Sequence, residues 1–310
     1  MIDRALLRGA PSHVIGSAHE QVNFIVPLAE ESSCRRRPDR VVVSAASPFL
    51  ARCRPRWSSM CWSGEASVAL AIAGLGTTAY AAYKKEPAPL WMALGYFSSM
   101  EALQAFTYSV IDQCGLPSNQ IATMLGYMHI VFQPFFINML SMYFIPNAVR
   151  QKIQWPVYAV CFVSAIVMLL QIYPFEWAGS CPLGRGLCAE RLCSVSGDWH
   201  IAWEIPTNGM LNTITVESWA SFLSLYPSYF VAGFLLPFLY GSWRFTVYHF
   251  LVGPVLAMLL TDNPNEVAAI WCLLSIGILL LVVKTPIRQF MFVRSWWLWP
   301  KQISRKRCDI

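Results

Sequence analysis

Trp155-Pro-Val-Tyr-Ala-Val-Cys-Phe-Val-Ser-Ala-Ile-Val-Met-Leu-Leu-Gln-Ile-Tyr173 contains no charged side chain and has an aromatic residue at each end. A bilayer core is about 30 Å thick and an α-helix crosses it in about 20 residues, with Trp and Tyr favoured at headgroup level. Lipid offers no partner to an exposed backbone, so such a run is read as a membrane-spanning helix.

Six further runs flank this one: Ala66 to Tyr83, Leu90 to Ile111, Ile121 to Ile145, Trp219 to Tyr240, Thr246 to Leu260 and Val267 to Val283. The chain has 310 residues, 56% apolar and only 13% charged, with a mean hydropathy of +0.45. Soluble domains are about a quarter charged, and one soluble core has no room for so much apolar surface. The expected fold is all-α, a polytopic bundle of seven spans over residues 60–283 followed by a basic, Trp-rich tail, 284–310. The net charge of +6 is spread over loops and ends, so nucleic acid is not an expected partner; the lipid bilayer is.

Orientation follows the basic residues of the short loops. Lys84 and Lys85, then Arg150 and Lys152, then Arg244, then Lys284, Arg288, Arg294, Lys301, Arg305, Lys306 and Arg307 all fall on one side of a seven-span bundle. That side is expected to be cytoplasmic, with the N-terminus outside. In the tail, Phe290, Phe292, Trp296, Trp297 and Trp299 interleave with basic residues, which suits a segment lying in the inner interface near anionic lipid.

Residues 1–59 differ from the rest, with nine arginines and no lysine. They read as a disordered extension or as upstream sequence ahead of a true start at Met60, and no function is assigned to them.

With this topology Cys61, Cys114, Cys181, Cys188 and Cys193 lie outside, where one or two disulfides are expected; the sequence leaves the pairing open. The alternative, a metal site of Cys181, Cys188, Cys193 and His200, lacks a standard zinc spacing.

Polar residues inside the spans carry the functional expectation. Glu101, Gln104 and Tyr108 share one face of span two, and His129 and Gln133 one face of span three. Counted from the expected outer ends, Glu101 lies about 15 Å deep and His129 about 12 Å. A Glu101–His129 pair flanked by Gln104 and Gln133 is therefore expected, with Glu101 carrying a proton or cation. The bland alternative is a buried hydrogen bond that locks two helices. A second cluster, His200 and Glu204 at i and i+4, reads as a short interfacial helix, either a lid over the first cluster or merely solvated. His249 is expected to join neither. Pro134, Pro227, Pro237 and Pro254 interrupt the spans.

Met60-Cys-Trp-Ser63, Met100-Glu-Ala-Leu-Gln104, Val110-Ile-Asp-Gln-Cys114 and His129-Ile-Val-Phe-Gln-Pro-Phe-Phe136 resemble an uncharacterised bacterial seven-helix membrane family, a domain of unknown function, over most of 60–310. The resemblance implies a bacterial inner membrane and brings no activity. The Glu/His arrangement is loosely similar to intramembrane metal hydrolases such as the alkaline ceramidases, whose multi-histidine zinc pattern is missing. No metalloprotease, phosphate-loop or nucleophile-elbow motif occurs, and no cofactor is assigned. The leading expectation is transport or sensing of a small solute, ion or proton. The alternatives are a lipid-acting enzyme with Glu101 and His129 as acid/base or weak metal ligands, completed by His200 and Glu204, and an accessory subunit.

Overall fold

The computed structural model describes residues 62–184, 186–211 and 226–299. The Arg-rich stretch 1–59, Cys61, Arg185, the first part of expected span five (219–225) and the tail beyond Trp299 lie outside the described residues.

The chain is mostly helical. The helices are α1 Gly64–Tyr83, α2 Ala88–Tyr108, α3 Pro117–Tyr143, α4 Asn147–Gln171, α5 Pro227–Leu239, α6 Trp243–Leu260, α7 Val267–Lys284 and the short α8 Ile287–Met291. Between α4 and α5 lie two strands, β1 Cys193–Ser196 and β2 Ile201–Glu204. Local chemistry sets the starts. The Ser63 hydroxyl accepts from the Ala66 amide at the head of α1, and α2, α3 and α5 each place a proline in the first turn, where its missing N–H costs nothing. Pro237 and Pro254 accompany π-helical turns at Val231–Leu235 and Leu251–Val255; a proline deletes a backbone donor and shifts the hydrogen-bond ladder.

By length and composition three helices, α1, α4 and α6, are apolar enough to cross a membrane. The exposed face of α4 is apolar, with Trp155, Phe162, Val163 and Ile166 outward. α2 and α3 are more polar because they bury polar side chains against other helices and against β1: Ser98, Glu101, Gln104 and Thr107 on α2, and Asn119, Thr123, Gln133, Asn138 and Ser141 on α3.

The helices alternate in direction between two ends. At one end the segment after α7 folds back over the helix termini. Arg288 pairs with Glu86 at 2.8 Å, the Val293 amide donates to Phe144 O, and Arg244 donates to Phe290 O and Phe292 O. Trp296 and Trp299 donate their indole N–H to Leu239 O and Tyr240 O. Gly241, at φ +101°, leaves room for both rings; a Cβ there would stand 2.6 Å from the Trp299 ring.

The other end is closed by the strands. Residues 198–204 form no interfacial helix: β2 pairs antiparallel with β1 in the register Cys193↔Glu204 to Ser196↔Ile201. The i, i+4 spacing of His200 and Glu204 misled because residues 197–200 make a four-residue hairpin turn, closed by the Gly197 amide donating to His200 O, between short strands. Asn119 pins the hairpin, donating from Nδ2 to Ser194 O and accepting the Ser194 amide at Oδ1. Asp112 accepts the Ser196 amide and hydroxyl. Trp203 is buried against Gly126 of α3, so the hairpin plugs the end of the bundle.

Two disulfides hold this end, Cys114–Cys193 and Cys181–Cys188. Among the described residues the expected disulfides are found, and the Cys/His metal alternative loses Cys181, Cys188 and Cys193, whose sulfurs are bonded to one another or to Cys114.

Candidate functional site

A strip of buried polar groups runs from the hairpin into the bundle along α2 and α7. Its outer part is continuous. Gln104 Nε2 donates to Ala269 O at 3.3 Å, which leaves Oε1 to accept from His200 Nε2 at 3.1 Å. His200 Nδ1 then accepts from the Tyr108 hydroxyl at 2.7 Å; these roles assign the neutral imidazole its tautomer. His200 is buried beneath Trp62 and Trp199, both about 6 Å away ring to ring. Burial pushes its imidazole down to about 3. His200 is thus no solvated residue. Glu204 is separate, on the outer edge of the hairpin, bound to Arg191 at 2.6 Å.

One turn deeper is Glu101, wholly buried, with no ion-pair partner among the described residues. The Ser67 hydroxyl of α1 lies beside its carboxylate, and the Cys272 thiol of α7 is within electrostatic reach. Beyond Cys272 the strip reaches Gln133 of α3, whose Nε2 stands 4.0 Å from Cys272 Sγ and whose Oε1 accepts from the Tyr229 hydroxyl of α5 at 2.7 Å.

His129 is not in the strip, which corrects the expected Glu101–His129 pair. Its Nε2 donates to Tyr96 O at 2.9 Å, the Tyr96 hydroxyl donates to His129 O at 2.5 Å, and the rings stack 4.0 Å apart. The reason is depth and facing. α2 ends at Tyr108, seven residues beyond Glu101, whereas α3 begins at Pro117, twelve before His129. The five-residue offset is about 7.5 Å along a helix, and Glu101 turns toward α1 and α7. His129 instead lines an open groove of about 790 Å³ with Tyr96, Phe132, Phe135 and Phe136. The weak metal reading of Glu101 with His129 therefore has no shared centre, and among the described residues no group of three His, Cys, Asp or Glu is placed to hold a metal ion. His249 stays apart as expected, stacked between Phe234 and Phe245.

Cys272 and Tyr229 escaped the sequence reading because Cys and Tyr pass for apolar residues in a hydrophobic run. Asn138, which donates to Pro134 O and Ala232 O and accepts from the Tyr240 hydroxyl, was legible as an amide inside span three.

The chain belongs to a family of unknown function (DUF5765), whose model matches residues 65–292. That range holds the whole strip, from Ser67 through Glu101, Gln133 and His200 to Cys272. No curated protein and no solved structure matches the chain.

Proposed function

We propose that this chain is a multi-pass protein of the bacterial inner membrane, with seven spans, its N-terminus outside and its C-terminus cytoplasmic. It binds a small solute or ion in its interior, in linkage with the charge on Glu101, for transport or sensing. The observation that carries this is Glu101, wholly buried midway along α2 and, among the described residues, in no ion pair. An ionisable group at such depth costs several kcal/mol unless a proton, a counter-ion or water satisfies it, so its occupancy is tied to what the site holds. Support for the membrane setting comes from the three long apolar helices, the outward apolar faces and the gathering of Lys84, Arg150, Arg244 and Arg288 toward one end.

The alternative of a lipid-acting enzyme built on Glu101 and His129 loses its pairing, since the two side chains contact different helices. The accessory-subunit alternative treats the strip as packing only. Glu101→Gln separates these readings. In detergent-purified full chain and in sealed proteoliposomes, the variant is expected to fold, remain monodisperse and lose the pH dependence of thermal stability that Glu101 contributes. A variant that matches the wild type at every pH, or that fails to fold while a Ser98→Ala control folds, sinks the proposal in favour of a packing role.

A further inference from the structure

We propose that the end of the bundle covered by the segment after α7 holds one anionic phospholipid, its phosphate on the Arg244 guanidinium and its chains against Trp243, Phe290 and Trp297. This rests on the membrane setting proposed above and not on Glu101.

An uncompensated charge carries the inference. This end bears Lys84, Lys85, Arg150, Lys152, Arg244, Lys284, Arg288 and Arg294, and Glu86 is the one acidic residue among them. Arg288 takes Glu86 at 2.8 Å. Arg244 is half-buried, yet among the described residues it forms no ion pair. It is held in place by two hydrogen bonds, to Phe290 O and Phe292 O, but carbonyls offer dipoles and no net charge. Both bonds leave from Nη1, so Nη2 is left to meet a ligand. Arg244 is also the second residue of α6, where the helix dipole opposes a cation. A partly desolvated guanidinium with no anion is costly, and a bound anion removes both penalties.

The surroundings select a lipid over a soluble anion. The guanidinium stands 5.5 Å from the Trp243 ring centroid and 5.0 Å from that of Phe290. Phe290 is 63% exposed and Trp297 is 76% exposed. Trp296 and Trp299, by contrast, are tied down by their bonds to Leu239 O and Tyr240 O. Phe238, exposed at the end of α5, packs edge-on against Trp296 at 5.6 Å. A soluble anion leaves this apolar rim in water, whereas a lipid meets the cation with its headgroup and the rim with its chains. Trp is moreover favoured at headgroup level. Arginine grips phosphate oxygens two at a time, which lysine does not. A phosphodiester carries one negative charge and balances one guanidinium. Choline cancels that charge, so the expected ligand is a phospholipid of net negative charge.

The test is the thermal midpoint of the detergent-purified full chain with added dioleoylphosphatidylglycerol, dioleoylphosphatidylcholine or sodium phosphate. A ligand that binds only the folded state raises the midpoint with the logarithm of its concentration. The expected result is a rise with phosphatidylglycerol, the same rise only at about tenfold more phosphatidylcholine, and none with sodium phosphate. Arg244→Gln is expected to need about tenfold more phosphatidylglycerol, and Arg244→Lys and Trp297→Ser about threefold more. Trp297→Ser is expected to keep the wild-type midpoint without lipid, and Arg294→Gln, which changes an exposed cation of the same segment, to respond as the wild type does. Equal responses to the two lipids, or a rise with sodium phosphate that matches the lipid's, overturns the site. So does an undiminished response in Arg244→Gln, or an equal weakening in Arg294→Gln, which would mark a diffuse attraction to the whole basic end. If Arg244→Gln does not fold, undiminished responses in Arg244→Lys and Trp297→Ser overturn it instead. These midpoints depend neither on Glu101 nor on which side of the membrane this end faces, so their failure leaves the proposed function to its own test.

Discussion

His200 shows how a single side chain is governed by its cover. Trp62, Trp199 and the hairpin exclude water from it, so its imidazole stays neutral down to about pH 3, whereas in the unfolded chain it takes up a proton near about pH 6.5. The unfolded state binds more protons across that window, and folded stability therefore drops as pH falls through it. The thermal midpoint of the wild type is expected to decline from about pH 7 toward about pH 4 more steeply than that of His200→Gln. Glu266, whose carboxyl burial holds above the usual range, acts in the opposite sense and cancels in the comparison. Parallel declines in the two proteins would show that His200 is not held neutral. At this same scale the candidate residues were mostly legible: Glu101, Gln104 and Gln133 stand out as polar groups in apolar runs, and all three are in the strip. Their partners were not legible, because a partner is set by which helix face meets which.

Among the elements, the hairpin decides how the strip ends. It was invisible to helical spacing, yet it supplies His200 and buries Trp203 against Gly126. Gly197 belongs to it for a steric reason: a Cβ there would overlap the Glu266 carboxylate at 1.6 Å. The two disulfides differ in what they close. Cys114–Cys193 spans 79 residues and ties the hairpin to the α2–α3 loop, whereas Cys181–Cys188 spans 7. In the chain-entropy account the longer loop contributes about 2 kcal/mol more. Denaturation of Cys114→Ala/Cys193→Ala is therefore expected at a lower midpoint than that of Cys181→Ala/Cys188→Ala. The reverse order would remove the Cys114–Cys193 link as the anchor of this end.

For the whole molecule the proposal is a topology. Epitope tags inserted after Lys85 or after Arg150 in the full chain, expressed in bacterial spheroplasts, are expected to stay hidden from an impermeant antibody until the membrane is opened. Tags after Gly115 or after Asp262 are expected to be reached at once. Tags at all four positions reached alike would discard the seven-span arrangement. The sequence by itself determined the helical class, the positions of most helix ends, though α4 starts at Asn147 and not at Trp155, and the polar residues of α2 and α3, and it offered the four paired cysteines among five candidates, because each rests on local composition or on hydrophobic runs longer than a turn. Only the tertiary structure decided that Glu101 faces α1 and α7, that His129 braces Tyr96 instead, that residues 193–204 pair as strands and that Cys114 joins Cys193. These depend on helix rotation, on relative depth and on contacts between residues far apart in the chain, and a few residues' error at a helix end is enough to move a side chain to a different neighbour.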